Sequence, residues 1–244
     1  SGGGDSAHAG AAYGSGVFFQ GTATVTLGAG QTAGQTTLVN GVLVDWAGVY
    51  PNSLSEAALD VQGEGTVTLA PQDASGAVAP NAFSGGITLR SGVLELASSG
   101  AAGTGAIHFA GAATLLIDGS ALPANAIENF LPGDAIDLAD VAFTGGQPTL
   151  SGSTLSFTEG GAAYALTLDA AASKEALFLT ADASGHGALL SAGATAQQWL
   201  DHASLLGVYG PVTIYDTAAD VQANFAALVA DSHIAAIRLS DTPL

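Results

Sequence analysis

The stretch FSGGITLRSGVLELASSGAAGTGAIHFAG, residues 83–111, decides how this chain is read. Ile87 and Leu89 flank Thr88, and Leu94 and Leu96 flank Glu95. Apolar residues at every second position mark a strand with one buried face. Gly92 and the Gly-Thr-Gly run at 103–105 interrupt the alternation after only a few residues. Strands this short do not make stable isolated hairpins, so each must lie against neighbours.

The same texture extends in both directions. Upstream, Thr24–Leu27 and Thr66–Leu69 alternate in the same way, with shorter apolar runs at 37–39 and 42–44. Downstream, Ile107–Phe109 and Ala113–Asp118 continue it, followed by 149–151, 154–157, 164–168 and 177–179. Short strands at close spacing with no helical crossovers suit a sandwich or a coil of stacked rungs. Residues 1–16 are Gly, Ser and Ala with little to bury, and read as a flexible lead-in. The expectation is a mainly β chain with a β-solenoid over 17–190, closed by a small α/β capping unit at 191–244.

That final unit has a different rhythm. Trp199, Leu200, Ala203 and Leu206 are spaced for one helical face, with Gly207 placed to end the helix. Val212–Tyr215 reads as a strand, and Thr217 with Asp220 has the spacing of a helix-start box. Val221, Phe225, Leu228 and Val229 form an apolar stripe, and Ile234–Leu239 returns as a strand. Val212–Thr217 (VTIYDT) and Ile237–Thr242 (IRLSDT) repeat each other at an interval of 25 residues.

Two runs resemble known bacterial elements. Residues 83–111 resemble the strand repeats of autotransporter passengers and related surface proteins: Gly-Gly-apolar-Thr-apolar, then Gly-x-Leu-x-Leu, then Gly-Thr-Gly. Residues 125–138 (NAIENFLPGDAIDL) resemble the I-x-x-F-x-x-G-D-x-I-D-L element of large secreted bacterial repeat proteins. Together they cover about a quarter of the chain, residues 83–143. The resemblance implies a right-handed parallel β-helix, an extracellular or cell-surface location, and adhesion or biofilm roles. Residues 214–228 (IYDTAADVQANFAAL) are similar to a short repeat of secreted and adhesive bacterial proteins.

Composition narrows the partners. Hydrophobic residues make up 48% of the 244, enough for a large core, while 34 glycines against 8 prolines favour many tight turns. Twenty-one acidic residues face three basic ones, Arg90, Lys174 and Arg238, for a net charge of −18. Such a surface repels phosphate backbones and anionic lipid headgroups, so nucleic acid and membrane surfaces are poor partners. Self-association, neighbouring domains of a larger surface protein, and glycans remain. With no cysteine, disulfides and thiolate metal sites are excluded. No segment approaches the roughly 20 apolar residues of a membrane span. Ser1 begins no signal peptide, so the chain is expected to be a mature product or an excised piece.

Catalytic signals are sparse. His8, His108, His186, His202 and His233 show no paired-ligand spacing. Ser15 and Ser153 lack a nucleophile-elbow context. The lone Lys174 lies in no phosphate loop. The expectation is therefore a non-enzymatic stalk, fibre, surface-layer or passenger segment. The rival reading is a polysaccharide-binding or polysaccharide-degrading β-helix, since β-helix enzymes use acidic flanks, although fold alone does not confer that activity. No cofactor is expected, calcium excepted. The best acidic cluster is Asp134, Asp137 and Asp140, with Asp118 and Glu128 upstream. If 135–138 is a strand, Ile136 and Leu138 point inward and Asp137 outward, while Asp134 caps the preceding turn. Calcium bound there would act on stability.

Overall fold

In a computed structural model the chain is described over residues 16–46, 56–170, 172, 177–206, 212–239 and 241. The lead-in expected at 1–16 lies outside the described residues apart from Gly16, as do His8, Ser15, Lys174, Gly207 and Thr242.

The chain begins with β1 (Val17–Gln20), β2 (Thr24–Leu27), β3 (Thr36–Gly41) and β4 (Leu43–Trp46). There follow β5 (Ala58–Val61), β6 (Thr66–Gln72), β7 (Ile87–Leu89) and β8 (Gly92–Leu96). Next come β9 (Ile107–Phe109), β10 (Ala113–Ile117), β11 (Ala126–Glu128) and β12 (Ala135–Leu138). The later strands are β13 (Thr149–Ser151), β14 (Thr154–Glu159), β15 (Ala162–Leu168), β16 (Leu177–Ala181) and β17 (Ala188–Ala192). The chain then runs through α1 (Ala196–Leu206), β18 (Val212–Asp216), α2 (Ala218–Ala230) and β19 (Ile234–Leu239).

The structure is mainly β, with sheets rich in parallel pairing. Strands β2, β5, β7, β9 and β11 lie side by side in parallel in an eight-stranded sheet. Strands β3, β6, β8, β10 and β12 do the same in a seven-stranded sheet. The chain therefore crosses from one sheet to the other and returns beside its earlier strand. Register stacks like on like: Leu59, Ile87, Ile107 and Ile127 form one column. Val67, Leu94, Leu115 and Ile136 form another, and Leu69, Leu96, Ile117 and Leu138 a third. All twelve are buried. The columns of the two sheets join in one core, so each short strand is buried by its neighbours in the sheet and by the facing sheet.

Backbone crowding fixes the corners. Gly92 has φ +72°, and a Cβ there would approach the Gly63 and Gly65 carbonyl oxygens to 2.6 Å, so only glycine fits this close passage of two chain segments. Asparagines tie successive segments together. Asn81 accepts from the Leu43 N–H and donates to the Ala101 carbonyl, each at 2.7 Å. Asn125 donates to the Gly105 carbonyl at 2.6 Å, and Asn129 to that of Phe109 at 2.7 Å.

Residues 149–168 depart from the stacked-rung pattern expected of them. β13, β14 and β15 form an antiparallel meander, and in the other sheet β17 pairs antiparallel with β12 and β16 antiparallel with β17. The physical reason is the turn chemistry. Gly160 and Gly161, both with positive φ, make a two-residue loop between Glu159 and Ala162, which favours a hairpin. Parallel return would need a longer crossover.

A second, smaller core joins Phe178, Ala194, Ala196, Trp199, Val212, Ile214, Val221 and Leu228. β16 serves both cores, because Leu177 and Leu179 face the larger one while Phe178 faces the smaller. β18 and β19 pair in parallel with α2 between them, and Ala194 bridges to Ile214 on the other edge of β18. Two apolar expectations change. Phe225 and Val229 on α2 are 53% and 58% exposed, and Leu200 on α1 is 38% exposed. Each helix thus carries more apolar surface than its neighbours cover.

Candidate functional site

The pleat that buries the columns also builds an outer row. On the seven-stranded sheet the register places Thr68, Glu95, Leu116 and Asp137 side by side on successive strands. Asp118 and Asp140 lie just beyond the ends of β10 and β12. The Thr68 hydroxyl donates to Glu95 Oε2 at 2.5 Å, and the Gly119 N–H donates to Asp140 Oδ2 at 2.7 Å.

This crowding changes the acids. Asp118 is pushed up to about 6, first by burial, then by the Glu95 carboxylate, with Asp140 and Asp137 adding to it. A hydrogen bond between the Asp118 and Glu95 carboxyl groups requires a shared proton. Asp137 is also raised, by burial and then by Asp182, and its Oδ1 is buried with no partner among the described residues. Chemically, the stripe gathers carboxyl groups whose mutual repulsion and burial raise the proton affinity of Asp118 and Asp137.

The three expected calcium ligands do not share one place. Asp137 and Asp140 both border this stripe, near Asp118. Asp134 is 6% exposed, with Oδ2 accepting the Leu131 N–H at 2.8 Å. It closes the turn before β12, and burial raises it to about 7 against the lowering pull of the Leu131 and Ala113 N–H groups. Among the described residues, no three Asp, Glu or His side chains are grouped to hold a metal ion.

The histidines are dispersed. His108 lies on the outer face of the eight-stranded sheet, with Nδ1 3.6 Å from Glu128 Oε2. His186 belongs to a turn in which its N–H donates to Asp182 Oδ1, and His233 Nδ1 is 2.9 Å from Asp231 Oδ1. His202 has only its backbone described, in α1. Ser153 stands in the tight loop between β13 and β14.

Glu159 escaped the sequence reading. It is 2% exposed, accepts the Thr144 N–H and hydroxyl on Oε2 at 2.5 and 2.6 Å, and leaves Oε1 without a partner among the described residues. The signal was present: Glu159 is in phase with buried Leu155 and Phe157, so the strand turns it inward. Nearby, an open groove of about 510 Å³ is lined by Gln147, Thr149, Ser156 and the stacked pair Phe157–Tyr164, whose ring centroids are 5.4 Å apart.

At the junction of the two cores, the Tyr215 ring covers Gly133, where a Cβ would come within 2.7 Å of Cε1. Tyr215 and Arg238 are neighbours in register and line a cavity of about 730 Å³ with Asn129, Pro132 and Asp134. No family model matches this chain, and no curated protein or solved structure is detectably similar to it.

Proposed function

We propose that the chain is a non-enzymatic structural or adhesive segment of a bacterial cell-surface or secreted protein. Its rungs form a right-handed parallel β-helix whose acidic outer faces are displayed to the surroundings. The handedness follows from the general rule that about 98% of parallel crossovers are right-handed. The observation that carries the proposal is the set of unbroken apolar columns across successive parallel strands. Such columns give a stiff scaffold whose outward residues are free to vary. The test is retention under flow: beads coated with the chain should hold to bacterial or host-cell surfaces more strongly than beads coated with an unrelated protein of equal charge. Equal retention would refute adhesion, and polysaccharide turnover by the chain would refute the non-enzymatic reading.

A second reading rests on the groove over β13–β15. The half-buried Tyr164 ring, backed by buried Phe157 and beside hydroxyl and amide side chains, is suited to a sugar ring. A glycan array beside a reducing-sugar assay separates these readings. Binding with no new reducing ends supports a lectin-like module, and new reducing ends support a polysaccharide-cleaving one.

A further inference from the structure

The C-terminal region repeats one device twice. α1 starts at Thr195, whose Oγ1 accepts the Gln198 N–H while Gln198 Oε1 accepts the Thr195 N–H. α2 starts at Thr217, whose Oγ1 accepts the Asp220 N–H. In each case the helix's first N–H is taken by an aspartate at, or just past, the end of the next strand. Ala196 donates to Asp216 Oδ2, and Ala218 donates to Asp241 Oδ1, both at 3.0 Å. Ala194 bridges to Ile214, and Ile214 pairs with Ile237, so the backbone advances by the same parallel step each time.

The second step leaves an open face. From Ile234 to Arg238, β19 pairs only with β18 among the described residues. Beside it, Leu228, Val229, Ile234 and Ile237 line a groove of about 370 Å³ between α2 and β19. Phe225 and Val229, one helical turn apart, stand exposed on α2. In the preceding step the corresponding flank, β18 with α1, is covered by β19 and α2.

We propose that this face is a docking surface for one more helix–strand unit built like residues 217–241. Its helix lies on Phe225 and Val229, its strand pairs in parallel with β19, and its closing aspartate takes the first N–H of its own helix. Continuity with the interface already made twice identifies the occupant. A flat apolar patch alone would fit many partners, whereas an open parallel edge beside an apolar helix flank fits this unit.

The test is an extended chain in which residues 217–241 are repeated once directly after Asp241, compared with an extension of scrambled sequence. The repeated extension should gain helix by circular dichroism and slow amide exchange at Ile234–Arg238 at least tenfold. Phe225→Asp should abolish that protection in the extended chain and leave the stability of the parent chain unchanged, because Phe225 is already half in solvent. The core of the same molecule reports whether it has folded. β19 amides exchanging at the parental rate within a folded extended chain would overturn the proposal, as would equal protection by the scrambled extension. Protection that appears on concentrating the parent chain alone would also overturn it, assigning the face to a second copy.

Discussion

Replacing Asn81 with alanine tests whether the segments are clamped as described. Asn81 is 4% exposed and links three chain segments, holding the Leu43 N–H on one side and the Ala101 carbonyl on the other. Leu43 and Ala101 are themselves 3% and 0% exposed, so the released groups have little access to water. Leaving a buried donor or acceptor unsatisfied costs about 1–3 kcal/mol each, so Asn81→Ala, which releases two such groups, should destabilise by roughly 2–6 kcal/mol. Asn81→Asp sharpens the test. Its carboxylate still accepts from Leu43 but opposes the Ala101 carbonyl, so it should be strongly destabilising at pH 7. Below the pKa of that buried acid, the protonated oxygen donates to Ala101 and much of the stability returns. Urea denaturation followed by far-ultraviolet circular dichroism at pH 4 and pH 7 reads both variants, and exchange of the Leu43 amide localises the effect. A loss below about 0.5 kcal/mol for Asn81→Ala, within the range of ordinary surface substitutions, would refute the clamp.

Other consequences concern the core, the acids and the caps. Phe109 and Phe130 are fully buried with ring centroids 5.5 Å apart. Phe109→Ala should cost about 3–5 kcal/mol, and the double variant should cost less than the sum of the singles by about 0.5–1.5 kcal/mol; strict additivity in denaturant would contradict the contact. Asp118 and Asp134 are raised to about 6 and about 7, so the folded chain binds protons more tightly than the unfolded one. Their stabilising contribution is complete below about pH 4, and it is lost as pH rises through 6 and 7. The melting temperature should therefore fall between about pH 4.5 and 7.5, and the Asp134 part should persist in high salt because its cause is burial. A flat or rising profile would exclude these shifts. Asp216→Ala should cost about 1 kcal/mol and speed exchange of the Ala196 amide, whereas Asp241→Ala should do so at Ala218. Exchange unaltered at those two amides would remove the aspartate relay.

The short strands and their inner faces are legible in the sequence because alternation is a local property: Ile87, Leu89, Leu94 and Leu96 announce it within ten residues. Asp137 pointing outward and Asp134 closing a turn follow from the same period, and both stand so. Which strand lies beside which is not local. The column Leu59–Ile87–Ile107–Ile127 joins residues separated by intervals of 20 and 28, and only packing selects that register. The change to hairpins at 149–168 was encoded in Gly160-Gly161, yet a glycine pair also suits a rung corner, so the choice rested on the neighbours. The acidic stripe likewise exists only once separate segments are stacked. The sequence groups Asp118 and Asp137 with other acids nearby in the chain, but it does not bring Glu95 to them. The raised proton affinity of Asp118 and Asp137 arises because tertiary contact removes water and brings like charges together, and a linear pattern carries neither quantity.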